Sequence, residues 1–521
     1  MKQVYNPYLP LHEYIPDGEP HIFNDRVYVF GSHDKEGGET FCMLDYVTWS
    51  APVSDLTDWR YEGVIYRADQ DPQYGNQVPW FNHVEENIAA SSLTESTNTL
   101  RYMYAPDVTQ GEDGRYYLYY AMGGDYGVGG YTCPISVAVA DQPAGPYEFL
   151  GFVQYPDGTP MKRYICFDPA VLNDNGTIRL YYGTQYDYEE QPDFSPDSEY
   201  MRQEIGMFNL TAEEILSYPD SIMGPITVTL KPDMLTIADE PRHIIPYKVK
   251  GTSFEEHPFF EGSSMRKVGN KYYFVYSSKQ NHELCYAISN HPDRDFVFGG
   301  TIVSNGDVGY KGRKPEEKLN MTGTTHGSII EIQGQWYVFF HRLTHKSDYS
   351  RQACAEKIYI NEDGSIDQVE ITSCGLNPTP LQGKGLYPAA ICCNLTNGHM
   401  PHGSNRIYKD SFPNVTHEKS GDETERFISE ICDNTLIGYK YFDFHGTEKI
   451  IIIAALETPG EGSFEIKTSP DGEVLGKAVI NSNIKEWTTY EIDVKKIEGV
   501  LPLYFIYRGS TTARLLSFEI I

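Results

Sequence analysis

The chain has 521 residues, of which 13% are aromatic and 22% charged, and its formal net charge at pH 7 is −31. An acidic protein is repelled by phosphate backbones and anionic membrane surfaces, and no apolar run reaches the roughly 20 residues of a membrane span, so we expect neither nucleic acid nor membrane as a partner. The N-terminal residues MKQVYNP lack the apolar segment of a secretory signal, which predicts a cytoplasmic protein.

A short pattern returns five times along the first part of the chain: a polar turn with Asn, Asp or Gly, followed by an aromatic-rich strand. Each copy is typical of a β-hairpin, and a further strand precedes each turn. Repeated units of one kind without helical periodicity predict an all-β fold, with a five-bladed β-propeller over residues 1–372. A large β-sandwich with unrelated hairpins is the alternative. The aromatic strands follow their turns at residues 26–31, 115–120, 177–182, 271–276 and 335–340.

The tyrosine-rich repeat stops after Gly364. Residues 373–386 carry Gly and Pro and are predicted to form a linker. Residues 387–521 contain short alternating strands, such as 449–453 and 463–467, with turns between them. This spacing predicts a second domain, a β-sandwich of the jelly-roll type.

Three carboxylates lie just before inner strands of the repeat: Asp17, Asp168 and Glu261. Because the inner strands of a propeller line a central channel, residues at their starts are expected to converge. Apolar neighbours perturb proton affinity, and Glu261, which follows two phenylalanines, is the carboxyl whose pKa burial would raise most. A carboxyl with a raised pKa can protonate a leaving oxygen while a solvated one activates water, as in most glycosidases. Taken singly, each of these motifs also fits an ordinary turn.

Five motifs in this order and spacing resemble glycoside hydrolase family 43, over roughly residues 3 to 370. They are Asn6-Pro7 with Pro16-Asp17, Tyr104-Ala105-Pro106-Asp107, Phe167 to Leu172, Phe260 to Ser263 and Thr325 to Ile330. The resemblance implies an inverting mechanism. Asp17 would be the general base, Glu261 the general acid, and Asp168 the residue that tunes the pKa of the acid and orients it.

The resemblance also implies residues that bind the sugar. Tyr104 takes the position where many relatives have tryptophan and should line the sugar pocket. Arg351 matches an arginine of the sugar subsite, and its charge is expected to hold Asp168 ionised. His33 and Trp80 are candidate substrate-binding residues at the rim, with loop anchoring as the alternative role for each.

One ion is the cofactor that the resemblance implies. His326 matches a histidine near the propeller axis that in many relatives neighbours a Ca²⁺ or Na⁺ held largely through waters. A plain hydrogen-bonded channel histidine is the alternative, because a hard cation prefers oxygen ligands. No organic cofactor is expected, since the segment Gly127 to Gly130 lacks the third glycine and the following helix of a dinucleotide loop.

The C-terminal segment shows a weaker resemblance to a family 6 carbohydrate-binding module. Tyr439 and Trp487 are then expected to form a stacking platform for sugar rings. The alternative is that this domain only packs on the propeller.

The predicted function is that of an exo-acting α-L-arabinofuranosidase that removes arabinose from arabinoxylan-derived oligosaccharides. A β-xylosidase, or an enzyme with both activities, is the alternative within the class. A non-catalytic glycan-binding propeller is the alternative from another class. The sequence carries no signal for the oligomeric state.

Overall fold

The computed structural model describes the chain except for residues 1, 77, 79–101, 125–126, 187–192, 194, 196–197, 404–405, 421–422 and 482. Trp80, a candidate rim residue, lies outside the described residues. Within the part that is described, no helix is both long and apolar enough to cross a membrane.

Five antiparallel sheets form the blades of a β-propeller, which confirms the predicted fold class. Four blades have four strands in chain order, and the fifth has three strands among the described residues. Blades one and two contain β1 (Glu19–Phe23), β2 (Arg26–Phe30), β3 (Tyr46–Pro52), β4 (Arg60–Tyr66), β5 (Met103–Gln110), β6 (Tyr116–Met122), β7 (Ser136–Ala140) and β8 (Glu148–Phe152). Blade three contains β9 (Ala170–Asp174), β10 (Thr177–Tyr182), β11 (Ile226–Leu230) and β12 (Arg242–His243). Blades four and five contain β13 (Phe259–Val268), β14 (Lys271–Ser278), β15 (Glu283–Ser289), β16 (Val297–Ser304), β17 (Ser328–Ile332), β18 (Gln335–Thr344) and β19 (Ser347–Ile358).

The inner strands close a ring. β1 contacts β5, β5 contacts β9, β9 contacts β13, β13 contacts β17, and β17 returns to β1. The aromatic second strands pack between blades, and Tyr119, Tyr181 and Tyr276 are fully buried. The repeated tyrosines therefore form the layers between the blades, while the polar starts of the inner strands are left for the channel.

The N-terminal segment covers the outer edge of the fifth blade. The amide of Tyr8 donates to the carbonyl of Ala353 at 3.2 Å. The side chain of Asn6 donates to the carbonyl of Ala355 at 2.9 Å and accepts from its amide at 3.0 Å. The first and last blades of the ring are thus held together by the start of the chain, which continues directly into the segment that carries Asp17.

Two helices, α1 (Glu199–Phe208) and α2 (Ala212–Leu216), interrupt blade three between β10 and β11. The sequence analysis missed them. Thr211 and Glu214 form a capping box in which each side chain accepts a hydrogen bond from the backbone of the other. The capping box can be read from the sequence, but the run of periodically spaced apolar residues around it is too short to predict a helix.

Among its described residues, the C-terminal domain forms a ten-stranded sheet that curls around its own core. The strands β25 (Leu436–Leu456) and β28 (Thr488–Gly509) are long enough to take part in both layers. The other members are β20 (Leu381–Gln382), β21 (Gly385–Pro388), β22 (Asn394–Thr396), β23 (Asn414–Ser420), β24 (Glu423–Ile431), β26 (Gly462–Lys467), β27 (Gly476–Ile480) and β29 (Ala513–Ile520).

The expected aromatic platform on this domain is wrong for Tyr439. Its ring is fully buried in the core and its hydroxyl donates to the carbonyl of Ala389 at 2.9 Å, so it cannot stack on a sugar. Trp487 is partly buried, its indole N–H donates to Glu425, and the guanidinium of Arg514 lies 4.3 Å from its ring centroid. The two side chains therefore do not form one surface.

Candidate active site

One cavity receives residues from the starts of all five inner strands, and it encloses about 550 Å³ of empty space. Asp17 precedes β1, Asp168 precedes β9 and His326 precedes β17, while Tyr104 and Glu261 lie at the starts of β5 and β13. The remaining lining residues are Phe41, Gly124, Tyr131, Phe167, Phe260, Thr324, Thr325, His341 and Arg351. The three carboxylates that are far apart in sequence thus share a single concave site with aromatic walls.

The backbone that carries these carboxylates is unusual. Asp17 and Asp168 have φ values of +59° and +45°, a left-handed conformation that asparagine and aspartate tolerate better than most residues. Gly262 also has a positive φ, +74°, and its amide donates to a carboxylate oxygen of Asp168 at 3.2 Å. A Cβ at this glycine would lie 3.0 Å from the ring of His326. Such conformations concentrate at functional sites, where surrounding contacts hold them in place.

The carboxylate of Asp17 is buried among positive and polar partners. Burial would raise its pKa, but the charge of Arg351 holds the pKa of Asp17 below its ordinary value. The guanidinium of Arg351 donates to Asp17 Oδ1 at 2.9 Å. Asp17 is therefore ionised at neutral pH, the state that a base requires.

Arg351 is held by a second carboxylate, that of Asp34. Its Nε and Nη2 donate to the two oxygens of Asp34 at 2.8 and 3.0 Å, and its guanidinium lies 4.7 Å from the ring centroid of Phe41. The expectation that the charge of Arg351 holds Asp168 ionised is wrong, because the guanidinium donates to Asp17, Asp34 and the sulfur of Cys42, and the pKa of Asp168 lies well above its ordinary value. The fork of donors explains why an arginine occupies this place, since a lysine ammonium lacks it.

The pKa values of the other two carboxyls, Glu261 and Asp168, are raised. Burial, and then the negative charge of Asp17, raises the pKa of Glu261 to about 8, against the opposing charge of Arg351. The pKa of Asp168 also lies well above its ordinary value, through burial and then the charges of Glu261 and Asp17. Interacting carboxyls of this kind resist losing both protons, so the pair retains one at neutral pH. The cavity therefore contains an ionised carboxylate and a protonated carboxyl.

His326 lies between the acids. Its Nδ1 is 3.7 Å from Asp168 Oδ2 and 3.9 Å from Asp17 Oδ1. Its Nε2 is buried and has no hydrogen-bond partner among the described residues. Burial lowers the pKa of His326, so the ring is neutral and this nitrogen is available to a water or an ion. In the described part of the chain, the groups of three or more candidate metal ligands do not include His326.

His341 is a site residue that the sequence analysis did not assign, and it lies behind Asp17. It is fully buried, and burial lowers its pKa to about 3. Its Nε2 is 2.9 Å from the carbonyl of Thr324, which can only accept, so Nε2 carries the proton. Its Nδ1 is then an acceptor for the amide of Asp17 at 3.4 Å. A neutral His341 thereby fixes the backbone of Asp17 without protonating it.

The candidate substrate-binding residues lie in different places. Tyr104 lines the cavity, with its ring centroid 5.3 Å from that of Phe167. His33 is not among the lining residues. Its ring bonds to Glu13 at 2.9 Å and to the carbonyl of Asp45 at 2.7 Å, which is the loop-anchoring arrangement.

Comparison with known proteins adds the following. The family model described as glycosyl hydrolases family 43 matches residues 54–366. The chain is 44% identical to a protein named xylosidase/arabinosidase from Thermoclostridium stercorarium, over 100% of this chain and 99% of that one. It is 29% identical to xylosidase/arabinosidase 43A of Humicola insolens, over 68% of this chain and 96% of the relative. A crystal structure of an arabinoxylan arabinofuranohydrolase from Bacillus subtilis aligns with a TM-score of 0.47 at 20% identity, covering 99% of this chain and 97% of the other.

Proposed function

Because the chain belongs to glycosyl hydrolases family 43, we propose that it is an inverting, exo-acting enzyme that removes terminal arabinofuranosyl and xylosyl units from arabinoxylan-derived oligosaccharides. Membership of that family makes it a glycoside hydrolase and sets aside the non-catalytic glycan-binding propeller. One observation carries the proposal: a single cavity contains an ionised Asp17 and a Glu261 whose pKa is raised to about 8.

In the proposed reaction, Asp17 accepts a proton from a water molecule as the water oxygen attacks the anomeric carbon. The bond from that carbon to the leaving oxygen breaks, and the carboxyl of Glu261 donates its proton to this oxygen. One displacement inverts the configuration at the anomeric carbon. Asp168 accepts a hydrogen bond from the amide of Gly262, the residue after Glu261, and its negative charge would oppose ionisation of the acid.

The cavity supports a small neutral sugar as substrate. Small-molecule sites are concave, and this cavity, bounded by residues from the starts of all five inner strands, favours a terminal unit over a long polysaccharide. Aromatic walls formed by Phe41, Tyr104 and Tyr131 suit the C–H faces of a sugar ring. Arabinofuranosidase activity is the first expectation from the sequence. Xylosidase activity is the second candidate, and the names of the two relatives, which join both activities, favour an enzyme that has both.

The test is release of free pentose from arabinoxylo-oligosaccharides and from arabinosyl and xylosyl aryl glycosides. We expect both arabinose and xylose, and proton NMR of the first product should show the inverted anomer. Release of xylose alone would overturn the arabinofuranosidase activity, and a retained anomer would overturn the mechanism. The control is Glu261→Gln, which keeps the shape of the side chain and removes its acidic proton.

We also propose that a Ca²⁺ or Na⁺ ion is held near the propeller axis beside His326. The unpartnered, buried Nε2 of this neutral ring fits such a role. Because hard cations prefer oxygen and one imidazole is a poor cage, the other ligands would be mainly waters. The ion would supply a fixed positive charge near Asp17 and Asp168, which lowers the cost of burying them together.

A further inference from the structure

Two strands of the C-terminal domain reach the wall of the active site. β23 and β24 pair antiparallel, and His417 lies directly opposite Arg426 in their register, so both side chains leave the same face. That face contacts Glu36, on the loop between β2 and β3, and His345, at the turn between β18 and β19. We call these four residues, Glu36, His345, His417 and Arg426, the interdomain cluster.

The strongest contact in the cluster is a two-pronged ion pair. Nε and Nη2 of Arg426 donate to the two carboxylate oxygens of Glu36 at 2.8 and 2.7 Å. Both side chains are mostly buried, with exposures of 18% and 16%. The hydroxyl of Tyr14, three residues before Asp17, donates to the same carboxylate at 3.2 Å. A charge-assisted, bidentate pair of this kind fixes orientation as well as distance.

The histidines form the second contact. Nε2 of His345 and Nδ1 of His417 are 2.8 Å apart, a hydrogen bond between the domains. The other nitrogen of His345 lies 2.9 Å from the hydroxyl of Thr344 and 3.3 Å from that of Ser350. The backbone amide of His345 also donates to the carbonyl of Val415 at 2.8 Å. The turn between β18 and β19 is therefore tied to β23 through both its backbone and its side chain.

Both anchored segments lead directly to the groups that hold Asp17. Glu36 is two residues after Asp34, and Ser350 immediately precedes Arg351. The two segments are also tied to each other, since the amide of Gly37 donates to the hydroxyl of Ser350 at 2.9 Å. Displacing Glu36 or His345 would thus move both members of the ion pair between Arg351 and Asp34.

The charges of the cluster argue against a metal site. Glu36, His345 and His417 lie close enough to ligate one ion. The guanidinium of Arg426, however, occupies both oxygens of Glu36, and it would repel a cation. Burial lowers the pKa of His345 to about 4, so the cluster contains one firm cation, Arg426, and one firm anion, Glu36.

We propose that Arg426 and His417 are positioning residues for the hydrolysis: through Glu36 and His345 they hold Asp34 and Arg351 where the guanidinium reaches Asp17. The C-terminal domain then completes the active site as a scaffold, with no need to bind sugar itself. This inference rests on the proposed function, because its effect is read through the base Asp17.

The experiment is a pH profile of kcat/KM on an aryl glycoside for Arg426→Ala, the milder Arg426→Lys and His417→Gln. If Arg351 is displaced, Asp17 loses its nearest cation, and the acid limb moves to higher pH. When each profile is scaled to its own plateau, we expect kcat/KM of Arg426→Ala on the acid limb to be about threefold to tenfold lower than that of the wild type. Arg426→Lys should show a smaller decrease. The other groups that face Asp17, namely His326, His341 and the two other acids, are unchanged in all variants.

The matched control is Arg508→Ala, which removes an arginine paired with Glu465 inside the same domain. It should leave the acid limb unchanged. Thermal unfolding of each variant separates loss of folded enzyme from altered titration, since a smaller active fraction lowers the whole profile without moving its limbs. A wild-type acid limb in all three cluster variants would overturn the inference, whereas a wild-type protein that releases no pentose would overturn the proposed function instead.

Discussion

The contact between Arg351 and Asp17 should set the acid side of the pH profile. The perturbation is the double variant Arg351→Met with Asp34→Asn, which removes one positive and one negative charge together. Removing Arg351 alone would leave the charge of Asp34 buried without a cation, at a cost of about 3 to 5 kcal/mol. The double variant avoids that cost because buried ion pairs replaced by neutral groups are often tolerated.

The size of the effect follows from the geometry. Arg351 Nη1 is 2.9 Å from Asp17 Oδ1, and an opposite charge at such a distance lowers the pKa of a carboxyl. A group with a depressed pKa loses its ionised form as the pH falls through that pKa, so without Arg351 the acid limb should move to higher pH, and kcat/KM on that limb should fall about tenfold or more relative to the plateau. Arg351 also opposes the rise in the pKa of Glu261, and the alkaline limb, which wild type should show near pH 8, should therefore move up as well.

The assay is kcat/KM between pH 4 and about pH 10 on a soluble aryl glycoside, since this quantity reports the free enzyme's acid and base. The control is Arg242→Met with Asp293→Asn, which removes an arginine and aspartate pair from the outer edge of the blades. An acid limb that stays in place while activity falls at every pH would refute the reasoning and leave Arg351 with a role in sugar binding only.

Two further outcomes are expected. Glu261→Gln should lower kcat on oligosaccharides by about 10² to 10⁴, and by much less on aryl glycosides whose leaving group needs no proton; an equal loss on both substrates would contradict the role of Glu261 as acid. Dialysis against a chelator that removes Ca²⁺ should lower the unfolding temperature and the activity, and added Ca²⁺ should restore both. The variant His326→Ala should not show this response. If the wild type does not change either, Na⁺ or a histidine without an ion is the explanation.

The propeller could be predicted because its signal is local and repeated. Each hairpin carries its own turn and aromatic strand, and the buried tyrosines of those strands form the layers between blades. The same locality explains the misassigned Tyr439. Every second side chain of a strand in a sandwich points to the core. The residues next to an aromatic side chain in the sequence do not show whether it points to the core or to the solvent.

The electrostatic partners of the site could not be predicted, because they are set by contacts between distant segments. Arg351 and Asp34 are 317 positions apart, and nothing near either residue indicates that they meet. His341 lies in an aromatic strand, and no motif in its own sequence neighbourhood marks it as a site residue. Its neutral tautomer depends on the carbonyl of Thr324, a partner that only the closed ring of blades brings within reach.

The close approach of Gly124 to Phe167 yields a last prediction. A Cβ at Gly124 would lie 2.0 Å from Cε2 of Phe167, the cavity residue that precedes Asp168, so Gly124→Ala must displace that ring. Both Gly124 and the turn residue Gly114 have positive φ values, +102° and +81°, but a Cβ at Gly114 meets nothing within 4 Å. Gly114→Ala therefore carries similar backbone strain, about 1 to 2 kcal/mol, without the clash. Since a shift of about 1 Å near reacting groups costs about a hundredfold in rate, kcat/KM should fall by that order in Gly124→Ala alone, at similar unfolding temperatures. Equal activity in the two variants would mean that the ring of Phe167 does not position Asp168.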